Sequence, residues 1–484
     1  MLFKPFAMVK KKLILLVTMI SMEVLTISCN KKNTGTASTP EPPGPPPATI
    51  DSSKYPPYTW QEHWFDHRQL VKRTYFNDNI AVYYDDDVNR SKSTWIYSFT
   101  DSVWTYTKNE YGKFGEKDTN NRLFAIFHTN KYGGGHPGTY LAPRHDFRNV
   151  IDIGSGADAW EKQSDWELTT IIHEISHIVE GASKGIRESP AFGIWGDSKW
   201  AEIFVYDLYD HLGRTAIKNR VYNEWMAGTD SYPRANTAWF RNWFFPIYDQ
   251  YGKVKVLNKY FELLSAHFPK GYNSEGIRAY TRDMNLGEFV HFWSGAAGVD
   301  LSFRAQMAFG AKDRNSANWQ PQFEKAKADF PGITYTTDPT YGTNLSQGAS
   351  VEVNKENEGG PNSIEGSFRL IDRDNNTKFF VKGFPSGFYA LQTLPAPTVA
   401  NAYILTSGND APDRDPRSWV VEGSQDKADW TLLDTSTNQV FTYRNDISIF
   451  DFNNTVPYKY YRLRVTATAG SADMQLSEWL LLKK

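Results

Sequence analysis

The sequence predicts two folded domains, a mainly helical α+β domain followed by an all-β sandwich. The chain has 484 residues, which is more than one hydrophobic core usually supports. Helical periodicities and aromatic residues dominate residues 55–335, as in "SKSTWIYSFTDSVWTYTKNEYG", "DSKWAEIFVYDLYDHLG" and "KVKVLNKYFELLSAHF". Strand-like alternation with turn residues, as in "KYYRLRVTATAG", dominates residues 340–484. Within the first region, the short apolar runs "RLFAIFH" and "RNVIDIG" predict strands.

The first 29 residues have the pattern of an export signal. Three lysines precede the apolar run "LILLVTMISM", which is too short to span a membrane and is followed by Glu23. The segment "LTISC" resembles the lipobox of bacterial lipoproteins, which implies a lipid anchor at Cys29 and a place in the cell envelope, on either face of an outer membrane. The alternative is a plain cleaved signal peptide. Because Cys29 is the single cysteine of the chain, no internal disulfide can form.

Residues 30–54 predict a tether, since they are rich in proline, serine and threonine and offer nothing apolar to bury. The formal net charge is −2, and no long basic run follows the signal. Both features argue against nucleic acid as a partner and leave small molecules, peptides or glycans.

The segment "SDWELTTIIHEISHIVEG", residues 164–181, predicts a helix that carries zinc chemistry. Ser164 and Glu167 form a capping-box pattern at its start, and Gly181 predicts a left-handed end. His173 and His177 are one turn apart, so both imidazoles can bind one zinc ion, and Glu174 is placed to accept a proton from water. The alternative is an ordinary amphipathic helix that happens to contain the H-E-x-x-H letters.

A catalytic zinc ion needs a third protein ligand, and the sequence favours Glu202 in "GDSKWAEIFVYDLYDHLG". Its neighbours are so apolar that the carboxylate needs a counter-charge, and a helix holds a ligand more rigidly than a loop does. The alternatives are Glu188, Asp197 and Asp207.

Two further segments have open interpretations. "RNVIDIG" is either the edge strand along which a peptide substrate pairs or an interior strand, and the glycine-rich "HTNKYGGGHPGTYLAPRHD" predicts a cleft rim in which His136 and His145 are ordinary loop residues. Candidate donors to a reaction oxyanion are Tyr206, Tyr209 and His211. Glu288 and His291 predict structural roles, because no third metal ligand lies nearby.

The final region carries a family resemblance. "GSFRLIDRDNNTKFF", "APDRDPRSWVVEGSQDKADWTLLD" and "YKYYRLRVTATAGSADMQLSEWLLL" together resemble, over about the last 145 residues, the coagulation factor 5/8 type C, or discoidin-like, domain. The resemblance implies a jelly-roll sandwich that binds carbohydrate. It also implies a structural calcium ion at Asp372, Asp374, Thr377 and Glu478, although Arg373 stands where the family usually has glycine. Phe384, Phe388 and Tyr389 are either sugar-stacking aromatics or core residues.

The preceding region resembles a gluzincin metallopeptidase, because "HEISH" is followed by a glutamate on a second helix. That order is similar to basic secretory proteins and, more distantly, to enhancin-like peptidases. The resemblance implies a zincin-like fold and a lipid-anchored zinc metallopeptidase that hydrolyses peptide bonds in glycosylated proteins. The alternative is a non-catalytic surface glycan-binding lipoprotein with a degenerate zincin scaffold.

Overall fold

The computed structural model describes residues 55–115 and 121–484, so the predicted signal, the lipobox cysteine and the tether lie outside the described residues. The chain divides into two compact units. Unit 1 extends to Ser189 and includes Lys270–Ala279, and unit 2 comprises Pro190–Pro269 and Tyr280–Lys484. The helices after Ser189 therefore group with the C-terminal sandwich, whereas the sequence pattern changes near residue 335. Among the described helices, none is long and apolar enough to cross a membrane.

Unit 1 is built on a six-stranded mixed sheet with the strand order β1-β2-β3-β4-β6-β5. Strands β3, β4 and β6 are parallel to one another, and β5 pairs antiparallel with β6. The strands are β1 (Thr59–Gln61), β2 (Leu70–Phe76), β3 (Ile80–Tyr84), β4 (Leu123–Thr129), β5 (Gly134–Gly138) and β6 (Asn149–Ser155). The two strands that the apolar runs predict are β4 and β6, which the structure confirms. The other four were not predicted.

Two long helices pack with this sheet, α1 (Trp95–Tyr111) and α2 (Asp165–Ala182). Helix α2 buries Ile171, Ile172, Ile175 and Ile178 completely. Full burial of one such side chain stabilises the fold by roughly 1.5–3 kcal/mol, so this apolar face fixes the position of α2. Two short strands, β7 (Lys270–Tyr272) and β8 (Arg278–Tyr280), form a separate two-stranded sheet.

Unit 2 begins with helices that pack around buried aromatic rings, among them Trp195, Trp243, Phe289 and Trp293. The helices are α3 (Phe192–Trp195), α4 (Lys199–His211), α5 (Thr215–Ala227), α6 (Phe245–Gln250), α7 (Val254–His267), α8 (Leu286–Ala297), α9 (Ser302–Phe309) and α10 (Trp319–Asp329). A π-helical segment, Phe240–Phe244, leads into α6. Helices α1, α4 and α7 confirm the helical patterns of the sequence.

The rest of unit 2 is the predicted all-β sandwich, formed by two antiparallel sheets. After the short parallel pair β9 (Val299–Asp300) and β10 (Thr336–Thr337), the strands are β11 (Thr343–Asn344), β12 (Ser350–Val353), β13 (Phe379–Val381), β14 (Tyr389–Thr398), β15 (Ala402–Thr406), β16 (Pro416–Ser424), β17 (Thr431–Ser436), β18 (Ile447–Asp451), β19 (Tyr458–Thr468), β20 (Met474–Leu476) and β21 (Glu478–Lys483). The sheet orders are β11-β21-β15-β18 and β12-β14-β19-β16-β17, and β13 pairs with β20. Along β19, Tyr461, Leu463 and Val465 point into the core, as the alternation predicts.

Candidate functional site

The start of helix α2 is fixed by the predicted capping box. The Ser164 side chain accepts a hydrogen bond from the Glu167 amide, and the Glu167 carboxylate accepts one from the Ser164 amide at 3.1 Å. The predicted end at Gly181 is wrong, because the helix continues to Ala182. The left-handed turn follows it, at Lys184 with φ 59° and Gly185 with φ 74°. The helix therefore holds His173 and His177 in its regular interior.

The imidazoles of His173 and His177 converge. Their Nε2 atoms lie 3.1 Å apart, which is close to the separation of roughly 3.3 Å between two nitrogens bound to one tetrahedral zinc ion. The Nδ1 atom of His177 faces the Glu180 carboxylate at 3.2 Å, an arrangement that fixes the orientation of the imidazole and leaves Nε2 toward His173. Burial, with a smaller effect from His177, lowers the pKa of His173 to about 3, so this imidazole is neutral and can bind a metal.

Glu174 is buried beside the edge strand β5. A Cβ atom placed on Gly135 would lie 2.7 Å from the Glu174 carboxyl group, so the backbone of β5 passes directly next to this side chain. Only glycine permits that approach without displacing the carboxylate. The structure thus places the expected proton acceptor between helix α2 and a sheet edge.

The interpretation of "RNVIDIG" as the edge strand is wrong. Strand β6 lies between β4 and β5, and β5, from the glycine-rich segment, forms the edge. His136 lies on this strand, so it is not a loop residue. An open cavity of about 510 Å³ lies at the end of these strands and the start of α2. It is lined by Asn130, Tyr132, Gly133, Gly134, Gly154, Ser155, Gly156 and Trp166.

Glu202, the predicted third ligand, lies on α4 in unit 2 and is paired within that unit. Its carboxylate is 2.6 Å from the Lys199 ammonium, which is also 3.0 Å from Asp230. Burial raises the pKa of Glu202 to about 7, against the opposing effect of Lys199. The sequence argument that this carboxylate needs a counter-charge holds, but Lys199, one turn earlier, already supplies one.

The alternative ligands have different surroundings. The Glu188 side chain is 74% exposed and faces Arg187 at 3.4 Å. Asp207 is buried and accepts a hydrogen bond from the Tyr248 hydroxyl at 2.7 Å. Asp197 lies in unit 2, just before helix α4.

The proposed oxyanion donors and the pair on α8 also have defined environments. Tyr206 packs against Phe245 and Tyr222, and Tyr209 is fully buried. Glu288 belongs to the capping box of α8 and forms a two-point ion pair with Arg282 at 2.7 and 2.9 Å. The imidazole of His291 contacts the Tyr335 hydroxyl at 2.9 Å, so both residues have structural partners, as expected.

Three of the four calcium candidates meet in the sandwich. Glu478 is fully buried, and neither of its carboxylate oxygens makes a hydrogen bond of good geometry within the described structure. Burial, together with the neighbouring Asp372 carboxylate, raises the pKa of Glu478 well above its usual range. Thr377 donates its hydroxyl hydrogen bond to Asp372 at 2.8 Å. The buried Glu478 carboxylate, the partly buried Asp372 carboxylate and the Thr377 hydroxyl are oxygen donors that suit Ca²⁺, so the residues fit the ion.

Asp374, the fourth candidate, is directed elsewhere. Its carboxylate forms an ion pair with Arg234 and accepts the amide hydrogen bond of Asn376 at 3.0 Å. Arg373 adopts φ 62°, in the left-handed region that favours glycine. The turn therefore forms with arginine at this position, so the missing glycine does not argue against the calcium site.

The aromatic candidates for sugar binding divide into core and surface. Phe388 is buried and packs on Phe379 with ring centroids 5.8 Å apart, so it is a core residue. Tyr389 is partly exposed, with the Arg462 guanidinium 5.4 Å from its ring. Phe384 is partly buried against the core.

Sequence reasoning missed a buried polar cluster in unit 1, formed by Glu62, His67, His128 and Asp152. The segment "QEHWFDH", residues 61–67, carried a signal, since it concentrates acidic residues and histidines. The partners on β4 and β6 could be found only from the sheet order.

Comparisons with known proteins match parts of the chain. No family model matches it. A stretch of 44 residues is 54% identical to the peptide-N(4)-(N-acetyl-beta-glucosaminyl)asparagine amidase of Arabidopsis thaliana and spans 9% of this chain and 6% of that protein.

Several solved carbohydrate-binding modules are similar to about three tenths of the chain. The module CpGH89CBM32-5 from Clostridium perfringens, in complex with GalNAc-β-1,3-galactose, is 14% identical over 29% of this chain and 100% of its own, with a TM-score of 0.26. The F5/8 type C domain of a Bacteroides fragilis protein is 16% identical over 30% and 99%, with a TM-score of 0.27. The family 32 module of C. perfringens NanJ, in complex with galactose, is 11% identical over 29% and 98%, with a TM-score of 0.25.

Proposed function

We propose that this chain is a zinc metallopeptidase that hydrolyses peptide bonds in glycosylated proteins and carries a C-terminal glycan-binding module. The observation that carries the proposal is the convergence of the His173 and His177 Nε2 atoms at 3.1 Å, next to a buried Glu174. A helix that only buries an apolar face has no need for two converging imidazoles with a carboxylate beside them.

The residues of α2 have separate roles in this proposal. His173 and His177 hold the ion, and Glu180 orients the His177 ring through Nδ1. A zinc ion supplies Lewis-acid chemistry, which makes water more acidic and polarises a carbonyl group. The Glu174 carboxylate accepts the proton of the attacking water and then donates it to the leaving amine.

Glu202 remains the third ligand that the sequence favours. To bind zinc, the Glu202 carboxylate would have to leave its ion pair with Lys199. The lysine would then keep Asp230, 3.0 Å away, as its partner. Metal analysis of Glu202→Ala beside Asp197→Ala distinguishes the two carboxylates. The variant that lacks zinc identifies the ligand.

Substrate positioning follows from the sheet edge. Strand β5 ends the sheet, so a peptide can pair with its outer side by backbone hydrogen bonds. Close packing of the Glu174 carboxyl group against Gly135 then places the proton acceptor beside the paired peptide. The cavity that includes Trp166, a 37% exposed aromatic residue, offers a surface for a side chain or a sugar.

In this proposal, the C-terminal sandwich and the N-terminal lipid anchor determine where the enzyme acts. A glycan ligand of the sandwich would raise the local concentration of glycosylated substrate without adding contacts at the scissile bond. Asp372, Thr377 and Glu478 would hold a calcium ion that stabilises this module. A lipid at Cys29, followed by the tether of residues 30–54, would keep the enzyme at the cell envelope.

The test is the hydrolysis of a panel of glycoproteins and their deglycosylated forms by the zinc-loaded full chain, with mass spectrometry of the products. We expect new peptide termini with the wild type and a loss of about 100-fold or more with Glu174→Gln, which keeps the metal. Equal cleavage by Glu174→Gln, or no cleavage of any protein by the wild type, would overturn the peptidase proposal.

A second candidate is hydrolysis of the amide that joins a glycan to asparagine. It is favoured by the 44-residue stretch that resembles an asparagine amidase, although that stretch spans 6% of the amidase. The same mass spectra distinguish the two reactions, because amidase action releases the glycan and converts asparagine to aspartate without new peptide termini.

A further inference from the structure

Unit 1 buries four polar side chains that converge between its sheet and its N-terminal loop. Glu62 and His67 belong to the loop between β1 and β2, His128 lies on β4 and Asp152 on β6. Their exposed fractions are 1%, 6%, 0% and 1%, so they form a closed cluster away from solvent. We call these four residues the inner cluster.

Three facing atoms of the inner cluster, on Glu62, His128 and Asp152, are close but make no directed hydrogen bonds with one another. The Nε2 atom of His128 lies 2.8 Å from Glu62 Oε1 and 3.0 Å from Asp152 Oδ1. All three atoms are buried, and none of them makes a hydrogen bond of acceptable geometry within the described structure. Three buried ligand atoms this close together, without hydrogen bonds among them, are the arrangement expected around a metal ion.

The outward-facing atoms of the same side chains are all engaged by a second layer of partners. The Nδ1 atom of His128 faces Asp85 Oδ2 at 2.9 Å. Trp64 Nε1 donates to Asp152 Oδ2 at 2.8 Å, and the Gln69 amide donates to Glu62 Oε2 at 3.0 Å. The outer atoms of these side chains thus have hydrogen-bond partners, whereas the inner atoms have none among the described residues. Proteins orient metal ligands by this kind of arrangement.

His67 completes the set. Its Nδ1 atom lies 2.8 Å from Asp152 Oδ2 and 4.0 Å from Glu62 Oε1, and one ligand atom of each residue in the inner cluster lies within 4.8 Å of those of the others. Its ring stacks on Tyr132 at a centroid distance of 3.4 Å, which fixes the imidazole plane.

The buried charges of this region favour a bound cation. Glu62, Asp85 and Asp152 contribute three buried carboxylates, and Lys131 lies 3.3 Å from Asp85 and also pairs with Asp87. With neutral imidazoles, the three carboxylates carry more negative charge than this one lysine offsets, and buried charge is costly without a partner.

A proton on His128 is the other way to balance this charge. Burial lowers the pKa of His128, but the neighbouring carboxylates of Asp152, Asp85 and Glu62 outweigh that effect and raise it to about 11. A protonated Nε2 would, however, direct its hydrogen at one carboxylate oxygen, and the observed geometry provides no such bond.

We infer that Glu62, His67, His128 and Asp152 form a buried binding site for a divalent transition-metal ion, of the zinc or iron class, that is separate from the histidine pair of α2. Two nitrogen and two carboxylate donors suit these ions, and the absence of exposed ligand surface marks a structural rather than a catalytic centre. The ion joins the N-terminal loop to β4 and β6, and so holds together segments that are distant in sequence. This inference does not depend on the proposed function.

The experiment measures transition metals in the full chain after removal of the α2 site. The His173→Ala/His177→Ala double variant, purified with excess Ca²⁺, is analysed for zinc, iron and manganese and then loaded with Co²⁺. We expect about one transition-metal ion per chain to remain and the visible d–d absorption of a nitrogen- and oxygen-ligated Co²⁺. A double variant with no transition metal and no Co²⁺ absorption would overturn the inference.

A second comparison uses stability and a matched histidine. Within the same loop, His67→Ala is compared with His63→Ala, because the His63 side chain is 47% exposed, pairs with Asp146 and lies outside the inner cluster. With all three proteins compared in the His173→Ala/His177→Ala background, we expect a transition-metal chelator to lower Tm of the parent and of His63→Ala by about 5 °C or more, and to leave His67→Ala little changed from its already lowered value. An unchanged Tm of the parent after chelation would contradict a structural metal. If His67→Ala does not fold, the cobalt measurement on the double variant decides alone.

Discussion

The Nδ1 atom of His177 lies 3.2 Å from the Glu180 carboxylate, while its Nε2 atom faces His173 Nε2 at 3.1 Å. One imidazole thus has a carboxylate on one nitrogen and a second imidazole near the other. This relationship is the geometric basis of the proposed zinc site, which the HExxH letters alone leave open.

The first prediction concerns Glu180. Replacement by glutamine removes the negative charge that orients His177, so we expect zinc affinity to fall by about 10- to 100-fold with little change in Tm of the metal-free protein. A competition titration with a chromophoric chelator measures the affinity. Glu188→Gln, which alters an exposed carboxylate of the same unit, is the control and should bind zinc like the wild type.

The second prediction concerns the edge strand. Gly135→Ala places a methyl group 2.7 Å from the Glu174 carboxyl group, so the carboxylate must move and kcat should fall by about 10-fold or more. Gly133→Ala is the matched control, because its Cβ would meet no atom within 4 Å in the described structure. Equal kcat values for the two variants would mean that Glu174 does not act from its observed position.

The third prediction concerns the ion pair on α4. Glu202→Ala leaves Lys199 in a mostly buried position with Asp230 as its remaining partner, so we expect the free energy of unfolding to fall by about 1–3 kcal/mol. Urea unfolding of the metal-free protein checks this loss. An unchanged free energy of unfolding would contradict the ion pair as a stabilising contact.

The fourth prediction concerns pH and calcium. Because the pKa of Glu478 is raised above its ordinary value of 4.5, the folded form binds the proton more tightly than the unfolded form does. In the absence of calcium, the contribution of Glu478 is therefore most favourable below about pH 4.5 and is lost as pH rises toward the folded-state pKa.

Calcium should remove this dependence, because it provides the counter-charge for the ionised carboxylate. Urea unfolding at several pH values, with EGTA or with Ca²⁺, measures the effect, and Glu478→Gln is the control that should show neither the pH-dependent loss nor the calcium gain. A wild type that is equally stable with and without calcium at neutral pH would contradict the site.

The sequence predicted those features that depend on local patterns. The capping box of Ser164 and Glu167, the strands β4 and β6, and the helices α1, α4 and α7 follow from residue periodicity and from side chains close in sequence. The alternation of the last 145 residues likewise predicted the sandwich.

The sequence predictions failed for features that depend on contacts between residues distant in the chain. The segment of strand β5 consists of glycines, His136 and proline, which do not favour a strand, and it becomes one because β6 offers a pairing edge. The inner cluster depends on the sheet order that brings His128 and Asp152 to the loop of Glu62. Lys199, in contrast, lies one turn before Glu202 on the same helix, so its role as counter-charge follows from the spacing of the two residues in the sequence.

The measurement that tests the central claim most directly is the zinc content of the wild type and of the His173→Ala/His177→Ala double variant, purified in parallel from zinc-supplemented medium. We predict that the double variant contains about one zinc ion per chain less than the wild type while both remain folded by circular dichroism. Equal zinc content in two folded proteins would show that the α2 histidines hold no metal and would contradict the proposed peptidase.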